Sequence, residues 1–493
     1  MSHHPNHIKK AIVIGSGVAG LASAIRLAVK GFEVTVYERN TYPGGKLSHF
    51  QQDGFSFDAG PSLFTQPKNI EALFELAGEP IEEYFSYKQV PIGCKYFYEN
   101  GKTIEVSANR NEFAAAMQQQ FGESPQAIHD YLNASKKLYN DIGNVFLNNS
   151  LHKWKTFFKK GILKAITASK PGYILSSLNS FNGKKFKSAE AVQLFNRYAT
   201  YNGSNPYKAP AMLSLIPHLE MNEGTFYPKG GMISITNALY QLALKKGVKF
   251  HFNTPVQSII EHQCKVLGIV ANDENIFADM VVSNLDVYFT YKNLLHNEPK
   301  ATKVLKQERS SSALIFYWGI NKVFPELGLH NIFFSNDYKK EFEHLFVTKT
   351  FSGDPTVYIN ITSKMETGHA PTGAENWFVM VNAPANTGQD WETLKPQIRQ
   401  QVIEKLNHLL QTNIEPLIKT EAVLDPVTIE SKTASYMGSL YGTSSNSKLA
   451  AFFRHPNFTN TIKGLYFVGG SVHPGGGIPL CLKSAEIMSQ LVD

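Results

Sequence analysis

Lys9-Lys10-Ala11-Ile12-Val13-Ile14-Gly15-Ser16-Gly17-Val18-Ala19-Gly20, continued by LASAIRLAVKG (21–31) and EVTVYE (33–38), decides the fold. A short apolar run, a glycine-rich turn, a stretch of helical periodicity and a second alternating run form a β-α-β unit. Each glycine has a mechanical task. Gly15 makes the tight turn, Gly17 lets the backbone approach a pyrophosphate, and Gly20 lets the helix pack closely on the strand. The amino end of the helix then offers its positive dipole to the phosphates. Glu38 closes the second strand about 20 residues on, where a carboxylate accepts hydrogen bonds from ribose hydroxyls. Strand, helix, second strand and terminal acid agree on a dinucleotide-binding unit, which the glycines alone would not establish.

The carboxyl end repeats the theme. GLYFV (464–468) reads as a buried strand, followed by Gly469-Gly470-Ser471-Val472-His473-Pro474-Gly475-Gly476-Gly477-Ile478-Pro479 and a helical run, LCLKSAEIMSQLV (480–492). A glycine-dense loop with proline near the first turn makes a helix start that a planar ligand can approach. Its dipole would favour negative charge on that ligand.

Between these ends, Arg39-Asn40-Thr41-Tyr42-Pro43-Gly44-Gly45-Lys46 and Phe57-Asp58-Ala59-Gly60-Pro61-Ser62-Leu63 resemble the large flavoprotein superfamily of amine oxidases, protoporphyrinogen oxidases and carotenoid desaturases. Gly44 and Gly45 clear room for a cofactor, and Lys46 supplies a cation where many members carry arginine. VGGSVHPGGGIPLCLKSA (468–485) narrows the resemblance to the bacterial carotenoid desaturases, relatives of phytoene desaturase. Further blocks follow in family order: YNGSNP (201–206), FYPKGGM (226–232), TPV (254–256), SNLD (283–286) and GSLYG (438–442). The resemblance therefore covers nearly the whole chain. It implies FAD as cofactor, held by Gly15, Gly17, Val18, Ala19, Gly20, Glu38, Arg39, Gly44, Gly45, Lys46, Gly60, Pro61, Ser62, Val256, Gly469, Gly470, Gly477 and Ile478. Within the family it leans towards enzymes that place a 3,4 double bond in 1-hydroxylated carotenoids.

The fold class that follows is α/β: a Rossmann-like FAD-binding domain, discontinuous in sequence, with an α+β substrate domain of mixed sheet and helices. Residues 1–85, 223–290 and 420–493 are expected in the first, and 86–222 and 291–419 in the second. Asn100-Gly101 between two alternating runs predicts a hairpin in 92–107, and SALIFYWGI (312–320) predicts a buried strand.

The 493 residues allow two or three domains, and 43% apolar with 18% charged residues suits a folded protein. Cys94, Cys264 and Cys481 stand apart and form no CxxC pair, so a disulfide framework or zinc site has no support, no metal site is expected, and a reducing cytoplasmic compartment fits. A net charge of +7 is too modest to imply nucleic acid. No window approaches the roughly 18 apolar residues of a spanning helix. Residues 151–188, however, hold nine lysines and no acid. Within them Trp154, Phe157, Phe158, Ile162, Ala165 and Ile166 share a helical face largely opposite Lys155, Lys159, Lys160 and Lys164. This pattern suits a helix lying in an anionic membrane surface, equally with a solvated helix packed on its own domain. A long isoprenoid substrate tips the choice towards peripheral attachment at the inner membrane face.

One dinucleotide fingerprint and no Ser-His-Asp order or HExxH leave redox chemistry at a flavin. Arg197, Tyr198, Tyr201, Tyr207 and His330 in the expected substrate domain read as structural, and no catalytic residue declares itself. Phytoene desaturase, a carotenoid isomerase or saturase, an amine oxidase and a non-catalytic prenyl-protein chaperone are the alternatives on this scaffold. Oligomeric state is not legible.

Overall fold

Strands β1 (Lys10–Ile14), β2 (Glu33–Tyr37), β3 (Lys249–His251), β4 (Met280–Ser283) and β5 (Leu465–Phe467) lie in the order β3-β2-β1-β4-β5, with every neighbouring pair parallel. This is the doubly wound arrangement, and the chain switches sides between β1 and β4. The computed structural model describes residues 8–150, 152–153, 171–295, 306–447 and 454–492. Helices α2 (Ile233–Lys245) and α3 (Ile478–Ser489) both pack on α1 (Val18–Val29) beside this sheet. α1 is apolar almost all round because the sheet, α2 and α3 surround it, and Leu21, Ala24, Ile25 and Leu27 are fully buried there. Each large side chain so buried contributes about 1.5–3 kcal/mol.

Between β3 and β4 runs a three-stranded antiparallel meander, Val256–His262, Lys265–Ala271 and Glu274–Phe277. Its two tight turns hold Gln263-Cys264 and Asn272-Asp273 at positive φ, as two-residue hairpin turns require.

The second sheet has seven strands. Ile418–Leu424, Ser312–Ile320, Glu375–Ala383, Val357–Asn360, His330–Phe333, Ile92–Phe97 and Thr103–Ser107 are neighbours in that order, antiparallel except where His330–Phe333 meets Ile92–Phe97. The hairpin at Asn100-Gly101 and the buried strand at 312–320 form as their sequences require. Strand Ile418–Leu424 carries this sheet through the expected boundary at 420.

Every residue of Ser312–Ile320 is buried because both faces of the sheet are covered. Leu314, Phe316, Trp318 and Ile320 pack towards the helix Trp391–Leu410, while Ala313, Ile315 and Tyr317 join Phe55, Phe57 and Phe378 on the other face. Period-two alternation thus separates a structural face from a cavity face. Along the latter, cross-strand register aligns Leu424, Ile315, Met380, Tyr358, Ile332 and Tyr96 in one row across six strands.

The lysine-rich helix read at 154–166 lies outside the described residues. Among the described residues, no helix is long and apolar enough to cross a membrane.

Candidate active site

A single cavity of about 1600 Å³ runs from the glycine loops of the parallel sheet to the inner face of the seven-stranded sheet. A small-molecule site occupies roughly 300–1,000 Å³, so this space accommodates a dinucleotide and a second molecule together. All the sequence-derived cofactor residues line it except Gly20. Gly20 serves the packing role instead: a Cβ there would lie 2.1 Å from the carbonyl oxygen of Gly15.

The turn is built as its glycines imply. Gly15 has φ +91° and donates its N–H to the Tyr37 carbonyl at 2.8 Å, which ties the turn to β2. Gly17 caps α1 in extended geometry with no side-chain capping hydrogen bond. Glu38 is buried, with one carboxylate oxygen accepting from Ser16 N at 2.7 Å and Ser16 Oγ at 2.8 Å, and the other from Asn40 N at 2.9 Å. Three donors fix its orientation beside the glycine turn, and the two oxygens retain lone pairs for ribose hydroxyls.

Gly44 and Gly45 both have positive φ, and Gly44 N donates to Ser16 O at 2.9 Å, laying this loop against the first. Lys46 Nζ donates to Leu440 O at 3.0 Å, which binds the loop to the carboxyl-terminal third. Burial lowers its pKa, while Asp286 and Cys481 oppose that fall. Gly60 has no room for any side chain, because a Cβ would sit 1.8 Å from Lys46 O.

Three groups that sequence reading did not single out hold this site together. Asn284, just after β4 at the switch point, is wedged between the two glycine loops. Its Nδ2 reaches Gly15 O at 3.4 Å, and its amide would meet a Cβ on Gly17 at 2.7 Å or on Gly469 at 2.8 Å. Arg454, 2% exposed, donates to the carbonyls of Tyr441 (2.8 Å), Gly470 (3.1 Å) and Thr443 (2.8 Å). It shapes the loop before α3, where Gly477 caps the helix at φ +103° and Ile478 opens it. Burial and the neighbouring Arg309 push its pKa down to about 10, so it stays charged at neutral pH.

Asp58 is the third. It ends the strand Phe55–Asp58, accepts from Met232 N at 3.1 Å, and so anchors the loop Ala59–Ser62 to the start of α2. Burial pushes its carboxyl up to about 6, against the backbone donors of Met232 and Ile233. A raised folded pKa means that the native state holds the proton between about pH 4 and 6, so this stability contribution is present below that window and lost above it. Asp58→Asn cannot ionise. Its stability relative to the parent is expected to rise by about 3 kcal/mol as pH goes from 4 to above 6. Urea melts at the two ends of this window measure the difference.

Where the seven-stranded sheet meets the loop Ala59–Ser62, the apolar face gives way to a polar cluster. Arg197 donates to both oxygens of Glu220, at 3.1 and 3.0 Å, and Tyr201 donates to the same carboxylate. The guanidinium also lies over the rings of Tyr198 (4.5 Å) and Tyr96 (5.3 Å). Burial opposes its charge, but Glu220 and the surrounding phenols hold its pKa well above the ordinary value. Next to it, Tyr358 OH links Ser62 Oγ (2.8 Å) and His330 Nδ1 (2.7 Å). Burial, then Arg197, pushes His330 down to about 3, so it is neutral at working pH. Of the residues read as structural, Arg197, Tyr201 and His330 therefore reach the cavity wall, whereas Tyr198 and Tyr207 do not line it. His473 also lines the cavity, with Nε2 held by Asn149 O at 3.0 Å and its pKa pushed down to about 4 by burial.

Residues 18–493 match the family model for flavin-containing amine oxidoreductases. The chain belongs to that family. Among the family's relatives, a 1-hydroxycarotenoid 3,4-desaturase of Flavobacterium sp. (strain P99-3) is 50% identical over 98% of this chain and 99% of its own length. A 4,4'-diaponeurosporene oxygenase of Staphylococcus haemolyticus is 31% identical over 98% of this chain and 97% of its own. An oxidoreductase from Methanosarcina mazei has the same fold, with TM-score 0.66 at 17% identity over 98% of this chain and 100% of the other. This flavin-containing amine oxidoreductase is thus an FAD-dependent oxidoreductase of the carotenoid-desaturase branch. Its walls fit the cofactor, since Gly45, Gly469 and Gly477 leave a cradle with positive φ that side chains would strain.

Proposed function

We propose that the protein desaturates a carotenoid with FAD, introducing the 3,4 double bond into a 1-hydroxylated carotenoid of the γ-carotene type. The observation that carries this reading is the continuity of the cavity from the dinucleotide loops to a long apolar face lined by Ile315, Tyr317, Ile332, Phe378 and Met380. The 50% identity to the 1-hydroxycarotenoid 3,4-desaturase supports the position of the bond.

In this reading Gly17, Val18 and Ala19 present the start of α1 to the pyrophosphate, Glu38 takes the ribose hydroxyls, and Val256 lies at the adenine end. Arg39, Gly44, Gly45 and Lys46 flank the diphosphate. Gly60, Pro61 and Ser62 run beside the ring system, which Gly469, Gly470, Gly477 and Ile478 close from the other end. Bound FAD supplies a two-electron acceptor that takes hydride at N5. The apolar face holds the polyene so that the C–H bond lies within about 3.5 Å of that acceptor, and it excludes water. The polyene delocalises the allylic charge left behind, so proton loss follows without a strong protein base.

Expressing the chain in cells that accumulate hydroxylated γ-carotene, lycopene or phytoene tests this reading. The expected product is hydroxylated γ-carotene with two hydrogens fewer and a longer-wavelength absorption. Conversion of phytoene alone would instead assign the protein to phytoene desaturation.

The substrate is almost insoluble in water, since each exposed CH₂ costs about 0.8 kcal/mol, so collection from a bilayer is part of the proposal. The pattern at 154–166 carries it, with the protein on the cytoplasmic face of the membrane. Changing Lys155, Lys159, Lys160 and Lys164 to Glu is expected to reduce binding to anionic vesicles and turnover of liposomal carotenoid at least about tenfold, with normal flavin content. Unchanged vesicle binding would refute this anchor.

A further inference from the structure

We propose that His330 is the specificity residue that recognises an oxygen function near the reacting end of the polyene, with its Nε2–H donating to the substrate's C1 hydroxyl. The inference rests on the desaturase reading above and deepens it.

The tautomer follows from the neighbours. Asn360 Nδ2 lies 3.2 Å from His330 Nδ1 and also donates to Leu329 O at 3.0 Å. An amide NH₂ can only donate, so Nδ1 is an acceptor. Tyr358 OH then donates to Nδ1 and accepts from Ser62 Oγ. The single proton of this neutral ring sits on Nε2. Among the described residues that atom has no hydrogen-bond partner, and His330, only 3% exposed, is part of the cavity wall. A buried donor left unpaired is destabilising, and a ligand oxygen would recover that loss. Arg197 Nε, in the adjoining ion pair, is likewise without a hydrogen-bond partner among the described residues.

Position agrees with chemistry. A C1 hydroxyl oxygen is three bonds from C3, at most about 4 Å away, and its hydrogen-bond partner lies about 3 Å beyond, so that partner must stand within about 7 Å of the bond being oxidised. A polar group at the remote end of a channel could not serve. His330 is two hydrogen bonds, 2.7 and 2.8 Å, from Ser62 in the loop proposed to run beside the flavin ring. Much of the same sheet face is apolar or aromatic, as Ile315, Phe378 and Met380 show, with Asn382 a further polar lining residue. The polar wall is therefore placed where a 3,4-desaturase meets its hydroxyl.

The test compares a 1-hydroxylated carotenoid with the analogue that lacks only this hydroxyl. The readouts are kcat/KM and, for the unreactive desaturated products, Kd from the shift of polyene absorption. The parent protein is expected to favour the hydroxylated member in both. His330→Asn keeps an amide near the Nδ1 position for Tyr358 but deletes Nε2, and is expected to cut both preferences at least about tenfold. His330→Gln, which carries a donor near the Nε2 position, is expected to restore part of the preference. A merely structural histidine would lower turnover of both substrates and leave the ratio alone. An unchanged ratio in His330→Asn at full flavin occupancy overturns the proposal. Should that variant fail to fold, Tyr358→Phe, which frees the imidazole to turn, must reduce the ratio for the proposal to stand. A parent protein that desaturates the analogue but shows no preference defeats the subsite, and one that desaturates neither defeats the reading beneath it.

Discussion

Gly17→Val is expected to purify without flavin and to be inactive, while a Gly17→Ala variant retains partial occupancy. Gly17 caps α1 in extended geometry, so its backbone is sterically free for valine; the effect comes from the space it faces. A Cβ would already lie 2.7 Å from Asn284 Nδ2, and the two methyl groups of valine extend over the helix end where a pyrophosphate must approach. Asn284 can swing its amide aside for one methyl but not without releasing Gly15 O. Absorbance of the purified protein against FAD released by acid gives the occupancy directly. Normal occupancy in Gly17→Val would move the pyrophosphate away from this turn.

Glu38→Ala is expected to weaken FAD by about 3–6 kcal/mol. Hydrogen bonds to a charged acceptor contribute about 1.5–3 kcal/mol each, and two ribose hydroxyls lose theirs. Ser16 N and Ser16 Oγ lose their acceptor as well, which loosens the turn itself. Glu38→Gln separates these effects, because it retains an oxygen for Ser16 but no charge, and its loss is expected to be about half as large. Titrating FAD into the protein stripped of cofactor yields the Kd of each variant. If glutamine behaves like the parent, charge is irrelevant at this position, and if it behaves like alanine, charge carries the whole effect.

The amino-terminal unit was readable because its signals are local. Gly15, Gly17, Gly20 and Glu38 lie within one β-α-β stretch, and each position is set by a turn, a helix start or a strand end. The same holds for Gly477 and Ile478 at the start of α3, and for the strand at 312–320, whose unbroken apolar run reflects cover on both faces. The polar cluster had no such signature. Arg197 and Glu220 are 23 residues apart in short 3-10 and π-helical turns, and His330 meets Tyr358 only through antiparallel pairing of two short strands. Register between distant strands leaves no periodic trace, so isolated polar residues there read as ordinary structure. Asn284 and Arg454 were hidden for a related reason. One acts at a switch point created by strand order and the other by gathering carbonyls from loops, and neither requirement fixes a residue type in the local sequence.

The central claim is that one cavity brings a carotenoid against bound FAD for two-electron oxidation. Its most direct test is anaerobic mixing of the FAD-loaded protein with hydroxylated γ-carotene in liposomes, following the flavin spectrum and the carotenoid mass together. The expected result is bleaching of the oxidised flavin band in step with loss of two hydrogens from the carotenoid, one equivalent per flavin. Flavin that stays oxidised with this carotenoid and its unhydroxylated analogue, yet bleaches with a simple amine, would contradict the account.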